Sequence, residues 1–267
     1  MYNEKTIEKL KQKILDLAIR GKLVPQDPSD EPASILIEKI IKEKEKLIKE
    51  GKIKKPKEDS FIFKGSDNLY YENLNGKVKC IQDEIPFEIP KSWEWCRLYH
   101  LGNILGGGTP STSIKEYWEN GTINWFTPAF MSNINNKYVW ETNIKISLKG
   151  LKHSSAKLFS DNSIIMSSRA PIGYLCINKI VACTSQGCKT IELYNKSILE
   201  YMFLAIKSNI NFIISIASGT TFKEISLKKF SNLLVPIPPL NEQIKIANKY
   251  NKLINIIENI QKEYDNT

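Results

Sequence analysis

The chain has 267 residues, 42% of them hydrophobic and 25% charged, which suits one or two globular domains with a substantial core. No apolar run nears the roughly 18 residues that cross a bilayer, and MYNEKTIEKL has no apolar stretch after its charges, so no membrane span and no secretory signal are expected and the cytoplasm is the expected compartment. The formal charge of +9 suggests a polyanionic partner, although a chain this rich in Lys, Asn and Ile also fits an AT-rich genome.

Residues 1–57 read as a helical segment. Ile7, Leu10, Ile14 and Leu17 share one helix face, and Gly21 is suited to end that helix. After a proline-rich link from Val24 to Pro32, a second helix carries Ala33, Leu36, Ile37, Ile40, Ile41, Lys44, Leu47 and Ile48 on one stripe and stops at Gly51. From Lys39 to Lys57 nine lysines face three glutamates, a net +6 that reads as a solvated helix face or as a stripe for nucleic acid.

Residues 58–236 lose the helical period and gain glycine, aromatic and β-branched residues. Short apolar runs at Cys96–Leu101, Ser163–Met166, Ile172–Ile177, Thr190–Leu193 and Leu233–Val235 predict strands, with helices over Ile198–Ile206 and Ile210–Ile216. From Glu141 to Leu240 twelve Lys or Arg stand against five Asp or Glu, a net +7 that a folded, largely non-helical segment must display on a surface.

Residues 237–267 follow PIPP, a sequence suited to a helix start. Ile246, Tyr250, Leu253, Ile257, Ile260 and Tyr264 are spaced as a coiled-coil seam, widened by Leu240, Ile244, Ala247 and Ile254. A helix this apolar packs on the N-terminal helices, on another chain or on both. The fold class expected is α+β: a mixed α/β domain flanked by helices, with a long C-terminal helix of coiled-coil type.

Signatures of catalysis are missing. There is no phosphate-binding loop, no dinucleotide fingerprint and no G-x-S-x-G elbow, and Gly106-Gly107-Gly108 runs into Thr-Pro-Ser, whose proline removes an amide that a phosphate cradle would use. The [DN]-P-P-[FYW] signature of adenine methylation is absent, since Pro238-Pro239 lies between Ile237 and Leu240. Cys80, Cys96, Cys176, Cys183 and Cys188 never fall as C-x-x-C, and His100 and His153 are far apart, so neither a metal site nor disulfides are expected.

Five motifs occur in a fixed order: GGGTPSTS (Gly106 to Ser113), SSRAPIGY (Ser167 to Tyr174), TSQGCKTI (Thr184 to Ile191), SGTTFKEIS (Ser218 to Ser226) and PIPPLNEQ (Pro236 to Gln243). Together they resemble the target-recognition domain of type I restriction–modification specificity subunits and its exit into a long helix. LKQKILDLAIRGKLVPQDPSDEPASILIEKI is similar to the spacer between recognition domains in that family. The chain resembles a half-length member, with a spacer region at 1–57, one recognition domain at 58–236 and a C-terminal helix at 237–267 for dimerisation and methyltransferase docking.

The resemblance implies a non-catalytic subunit that binds double-stranded DNA and carries no cofactor. S-adenosylmethionine would sit on a partner methyltransferase subunit that modifies adenine, and a motor–nuclease subunit would join for restriction. Two copies would pair into a homodimer reading inverted half-sites, whereas pairing with a different half-subunit would make the target asymmetric. The alternative is a regulatory or truncated chain that occupies the methyltransferase without directing it.

Within the motifs, Arg169 suits a phosphate or a guanine, or else an ion pair inside the domain. Thr109, Ser111, Ser168, Gln186, Thr220 and Thr221 are compact polar groups on turns beside glycines, and Lys189 and Lys223 are candidates for phosphates. For each, turn chemistry that holds the fold is the competing role. Gly107, Gly187 and Gly219 are expected to serve backbone geometry. Trp118, Trp125, Phe126, Phe130, Tyr138 and Trp140 are expected to pack a core rather than stack on flipped bases. The expected partner-helix face is Leu240, Ile244, Ile246, Tyr250, Leu253, Ile257 and Ile260.

Overall fold

A computed structural model describes residues 4–55, 60–219 and 223–265. In chain order, α1 (Glu4–Ile19) and α2 (Ala33–Lys49) precede β1 (Ser60–Lys64), β2 (Tyr70–Leu74), β3 (Lys77–Cys80) and β4 (Glu94–Arg97). Then come α3 (Leu98–Leu101), β5 (Gly102–Gly106), β6 (Ile123–Phe126), α4 (Pro128–Met131), β7 (Tyr138–Val139), β8 (Lys145–Ile146) and α5 (Leu148–Lys152). The chain continues through β9 (Ile164–Ser168), β10 (Ile172–Asn178), β11 (Ala182–Thr184) and β12 (Cys188–Leu193). It ends with α6 (Leu199–Ser208), α7 (Ile210–Ile216), α8 (Leu227–Ser231), β13 (Leu234–Ile237) and α9 (Leu240–Asp265).

These elements form two compact units that cut the chain differently from the linear division at 57/58 and 236/237. The first gathers Met1–Cys96, Glu200–Ser208 and Leu234–Thr267; the second gathers Arg97–Leu199 and Asn209–Leu233.

In the first unit, α1 and α2 close alike. Gly21 and Gly51 take left-handed φ values of 68° and 70°, and the next amides, of Lys22 and Lys52, reach back to the carbonyls of Leu17 and Leu47 at 2.9 and 3.0 Å. The buried face of α1 is Ile14, Leu15, Ala18 and Ile19, about one position round from the expected stripe, so Leu17 is half-buried and Leu10 stays 49% exposed. On α2 the expected stripe is the buried one, through Ala33, Leu36, Ile40 and Lys44.

Strands β1–β3 make an antiparallel sheet whose last hairpin turns at Asn75-Gly76, both with positive φ. Its inner face puts Tyr70 with Ile81 and Trp95. Helix α6 is buried all round from Tyr201 to Ile206, as its apolar sequence requires. Tyr201 donates its hydroxyl proton to the Pro236 carbonyl at 2.8 Å and meets Trp93 edge-on. Glu242, at the start of α9, accepts from Trp93 Nε1 at 2.9 Å and Gln26 Nε2 at 2.6 Å, and burial raises its carboxyl pKa above the ordinary value.

Helix α9 packs against α1, and Lys11 approaches Glu258 at 3.9 Å. Of the expected seam, Ile246, Tyr250 and Ile257 are buried and Leu253 is half-buried, whereas Ile260 is 45% exposed. Ile244 and Ile256 are exposed and Leu240 is half-buried; the side chain of Tyr264 lies outside the described residues.

The second unit holds a five-stranded sheet, ordered β5-β12-β9-β10-β7, and a three-stranded sheet, ordered β11-β6-β8. All pairings in the larger sheet are antiparallel except β10 with β7. Phe126, Met131, Phe159, Ile165, Cys176 and Cys188 form its main core, and Trp125, Ile146 and Cys183 a second cluster. Of the predicted strands, Cys96–Leu101 needs correction, because Leu98–Leu101 is a single helical turn. The aromatic cluster also divides: Trp125 and Phe126 are buried, Trp118 and Phe130 pack beside them, and Trp140 is 61% exposed. Among the described residues no single helix is long and apolar enough to cross a membrane, and no group of three potential metal ligands assembles.

Candidate nucleic-acid interface

Four of the five motifs meet within the second unit. Gly106 ends β5 opposite Lys189 of β12, and the Gly108 amide then donates to the Thr184 carbonyl at 2.9 Å. That approach needs the glycine between them, because a Cβ on Gly107 would lie 2.2 Å from the carbonyl oxygens of both Thr184 and Ser185. The Gly108 carbonyl accepts from Trp125 Nε1 at 3.0 Å, and Thr109 Oγ1 donates to Gln186 Oε1.

SSRAPIGY forms the β9–β10 connection. The buried Ser167 hydroxyl pins it, donating to the Pro171 carbonyl at 2.9 Å and accepting from the amides of Gly173 and Tyr174. The Ser168 amide donates to the Gly187 carbonyl at 2.7 Å, tying this loop to TSQGCKTI. SGTTFKEIS is tied in from the other side: Ser218 and Glu224 exchange backbone hydrogen bonds of 3.0 and 2.8 Å, and the Ile225 amide reaches the Ser168 carbonyl at 3.1 Å. The Ser226 hydroxyl closes the motif by capping α8, accepting from the Lys229 amide.

Among the described residues, two cations, Lys189 and Arg169, meet the Glu224 carboxylate at this junction. Lys189, with 7% of its side chain exposed, donates to Ser168 Oγ at 3.0 Å and the Gln186 carbonyl at 3.3 Å, and meets Glu224 at 3.2 Å. Arg169 reaches the same carboxylate at 3.8 Å with 37% of its side chain exposed. Glu224 thus faces both cations, and two positive charges against one carboxylate leave the cluster net positive. Arg169 borders a concavity of about 500 Å3 whose other walls include Thr127, Ser132, Tyr174, Pro171 and Ser185.

The sequence candidates thus sort by position. Thr109 pairs with Gln186, both exposed; Ser168 and Lys189 are buried together; Arg169 stands at the concavity, and Lys223 is exposed beside Glu224. Ser111 lies apart, 2.9 Å from Ser113 Oγ, with its carbonyl accepting from Trp118 Nε1. Thr220 and Thr221 lie outside the described residues. Two residues that organise the junction, Ser167 and Glu224, are missing from the sequence candidates although both lie in the quoted motifs. Their signal is a small hydroxyl or a lone acid amid basic residues, and it becomes readable only once the loops are brought together.

Comparison with known proteins follows the same ground. The family profile for "Type I restriction modification DNA specificity domain" matches residues 90–266. The type I restriction enzyme MjaIX specificity subunit of Methanocaldococcus jannaschii is 34% identical over 178 residues, covering 66% of this chain and 41% of that protein. The type I restriction enzyme EcoAI specificity subunit of Escherichia coli is 32% identical over 266 residues, covering 94% of this chain and 40% of that protein. This chain therefore spans about 40% of the length of those relatives. A solved chain reported under "Structural basis underlying complex assembly and conformational transition of the type I R-M system" shares the fold at a TM-score of 0.53 and 16% identity, over 97% of this chain and 52% of that one. With two thirds of its length matched by that profile, the chain belongs to the type I restriction–modification DNA specificity family.

Proposed function

We propose that this chain reads one half of a bipartite DNA target for a type I restriction–modification complex and performs no chemistry itself. The observation that carries the reading is the specificity-domain match over residues 90–266, which contains the junction of four motif loops. In this reading Thr109, Gln186, Arg169 and Lys223 face DNA, joined by Ser111, Thr220 and Thr221. Ser168 and Lys189 hold those loops in place from beneath. Exposed polar groups on close-packed turns reach base edges and phosphates, while the buried pair fixes their register.

The finer proposal is a homodimer. Leu10 on α1 and Ile256 and Ile260 on α9 are apolar and 45–49% exposed on helices that already pack together, which supports a second copy covering them. Identical domains related by a twofold axis would read inverted half-sites. A methyltransferase subunit carrying S-adenosylmethionine would then methylate adenine, and a motor–nuclease subunit would act in restriction. The alternative is a regulatory chain that occupies the methyltransferase subunit without directing it.

Co-expression with a methyltransferase subunit, followed by genome-wide mapping of N6-methyladenine, tests both. A palindromic bipartite motif is expected. An asymmetric motif would reject the homodimer, and absence of methylation with a partner proven active would favour the regulatory reading. Light scattering on Ile256→Asp/Ile260→Asp, expected to be monomeric, tests the helix face separately.

A further inference from the structure

We infer that Glu224 is a positioning residue that withholds Arg169 from non-specific DNA, so that this guanidinium is released only to the correct target; the inference rests on the DNA-reading function proposed above. Three observations carry it. Among the described residues, the Glu224 carboxylate is shared by Arg169 and Lys189, at 3.8 and 3.2 Å. Its backbone bridges both Ser218 and Arg169, so the carboxylate cannot drift from the SSRAPIGY loop without undoing the SGTTFKEIS loop. Its side chain is 39% exposed, which places a negative charge on a surface proposed to meet phosphates.

A carboxylate there opposes random phosphate contact and is the weaker of two claims on Arg169. A guanine edge or a correctly placed phosphate offers a bidentate acceptor that outcompetes a single contact at 3.8 Å, whereas a transient phosphate does not. Glu224 would thereby set a threshold for engaging Arg169 and raise the ratio of target to non-specific binding. A role confined to holding the fold predicts the opposite response on substitution, a loss of both kinds of binding.

The experiment measures binding of the full chain to a random-sequence duplex across a salt series, by fluorescence anisotropy. Glu224→Gln is expected to tighten this binding and to steepen log K against log salt by about 0.9, the increment for one more phosphate contact. Glu224→Gln/Lys189→Met keeps the wild-type net charge and avoids a buried unpaired ammonium, so a gain that persists reports release of Arg169 rather than bulk charge. Adding Arg169→Gln to the double variant should abolish the gain. An unchanged or shallower slope in variants that retain the wild-type circular dichroism overturns the inference.

A second measurement needs no change at Glu224. The chain has only three arginines, Arg20, Arg97 and Arg169, so the Arg169 Nε–H resonance can be assigned by its loss in Arg169→Lys. It should stay unshifted when the wild-type chain binds the random duplex, and a shift there overturns the inference. If the wild-type chain shows no salt-dependent duplex binding at all, the DNA-reading function fails, a result distinct from failure of the Glu224 role.

Discussion

Three consecutive glycines run on from the end of β5, and the first two have opposite tolerances. At Gly106 a new Cβ meets only Leu227 Cδ1 at 3.9 Å, an ordinary contact. At Gly107 the same atom would stand 2.2 Å from two backbone carbonyl oxygens and from Thr184 Oγ1. Carbon–oxygen contacts settle near 3.3 Å, so the overlap is about 1 Å. A threonine hydroxyl can rotate away, but the Thr184 and Ser185 carbonyls are fixed by β11 and by the Ser185 amide bond to the Phe126 carbonyl at 2.8 Å. Relief must separate Gly108 from Thr184, which breaks a hydrogen bond and draws Thr109 from Gln186. Gly107→Ala should therefore cost roughly 3 kcal/mol, the upper end for overpacking. At about 2–4 °C per kcal/mol the midpoint should fall by roughly 6–12 °C. Gly106→Ala should change stability by less than about 1 kcal/mol, in either direction. Differential scanning calorimetry, with duplex binding measured on the same samples, decides between them. A Gly107→Ala protein that melts with the wild type and binds DNA equally would refute the packing argument.

Other outcomes follow from the first unit and the thiols. Ile246→Ala, at a fully buried seam position, should lose about 2–5 kcal/mol in urea unfolding, whereas exposed Ile244→Ala should stay within about 0.5 kcal/mol. Burial raises the Glu242 pKa, so the folded chain takes up that proton before the unfolded chain does. Its contribution to stability rises as pH falls through the folded value and levels off below the ordinary value of 4.5. The unfolding midpoint of wild type relative to Glu242→Gln should accordingly improve between about pH 7 and pH 4, and a constant difference would contradict the burial effect. Cys183 and Cys188 are pushed up to about 12 by burial, Cys176 is raised further, Cys96 is buried and Cys80 is exposed. A thiol reagent near pH 8 should titrate one group in the native chain and five in denaturant, and a second rapid native thiol would contradict this.

The helices were legible because their signals are local. Gly21 and Gly51 mark two ends by conformation alone, and PIPP announces α9. The face of α1 was harder to place, since Leu10 and Leu15 fit competing stripes and only packing against α9 chooses between them. Sheet β1–β3 passed unread although Asn75-Gly76 is a strong hairpin signal, because the mixed polarity of YYENL and KVKC hides any alternation. At the site, the motifs located the loops correctly but not their partners. Whether Lys189 points outward or into the Ser168–Glu224 cluster depends on a strand pairing between residues more than 20 positions apart, and no local pattern encodes that.

The discontinuity of the first unit bears on how such proteins could exchange specificity. A recombination cassette running from 97 to 233 replaces the second unit, but it also carries off Glu200–Ser208, a piece of the first. Tyr201 would arrive from the donor and have to find the recipient's Pro236 carbonyl and Trp93 edge. Chimeras should therefore survive when donor and recipient share that helix, or when the graft uses four junctions instead of two. A lineage that trades recognition sequences through a two-junction cassette is thus bound to keep α6 matched to the first unit, which the exchange leaves in place.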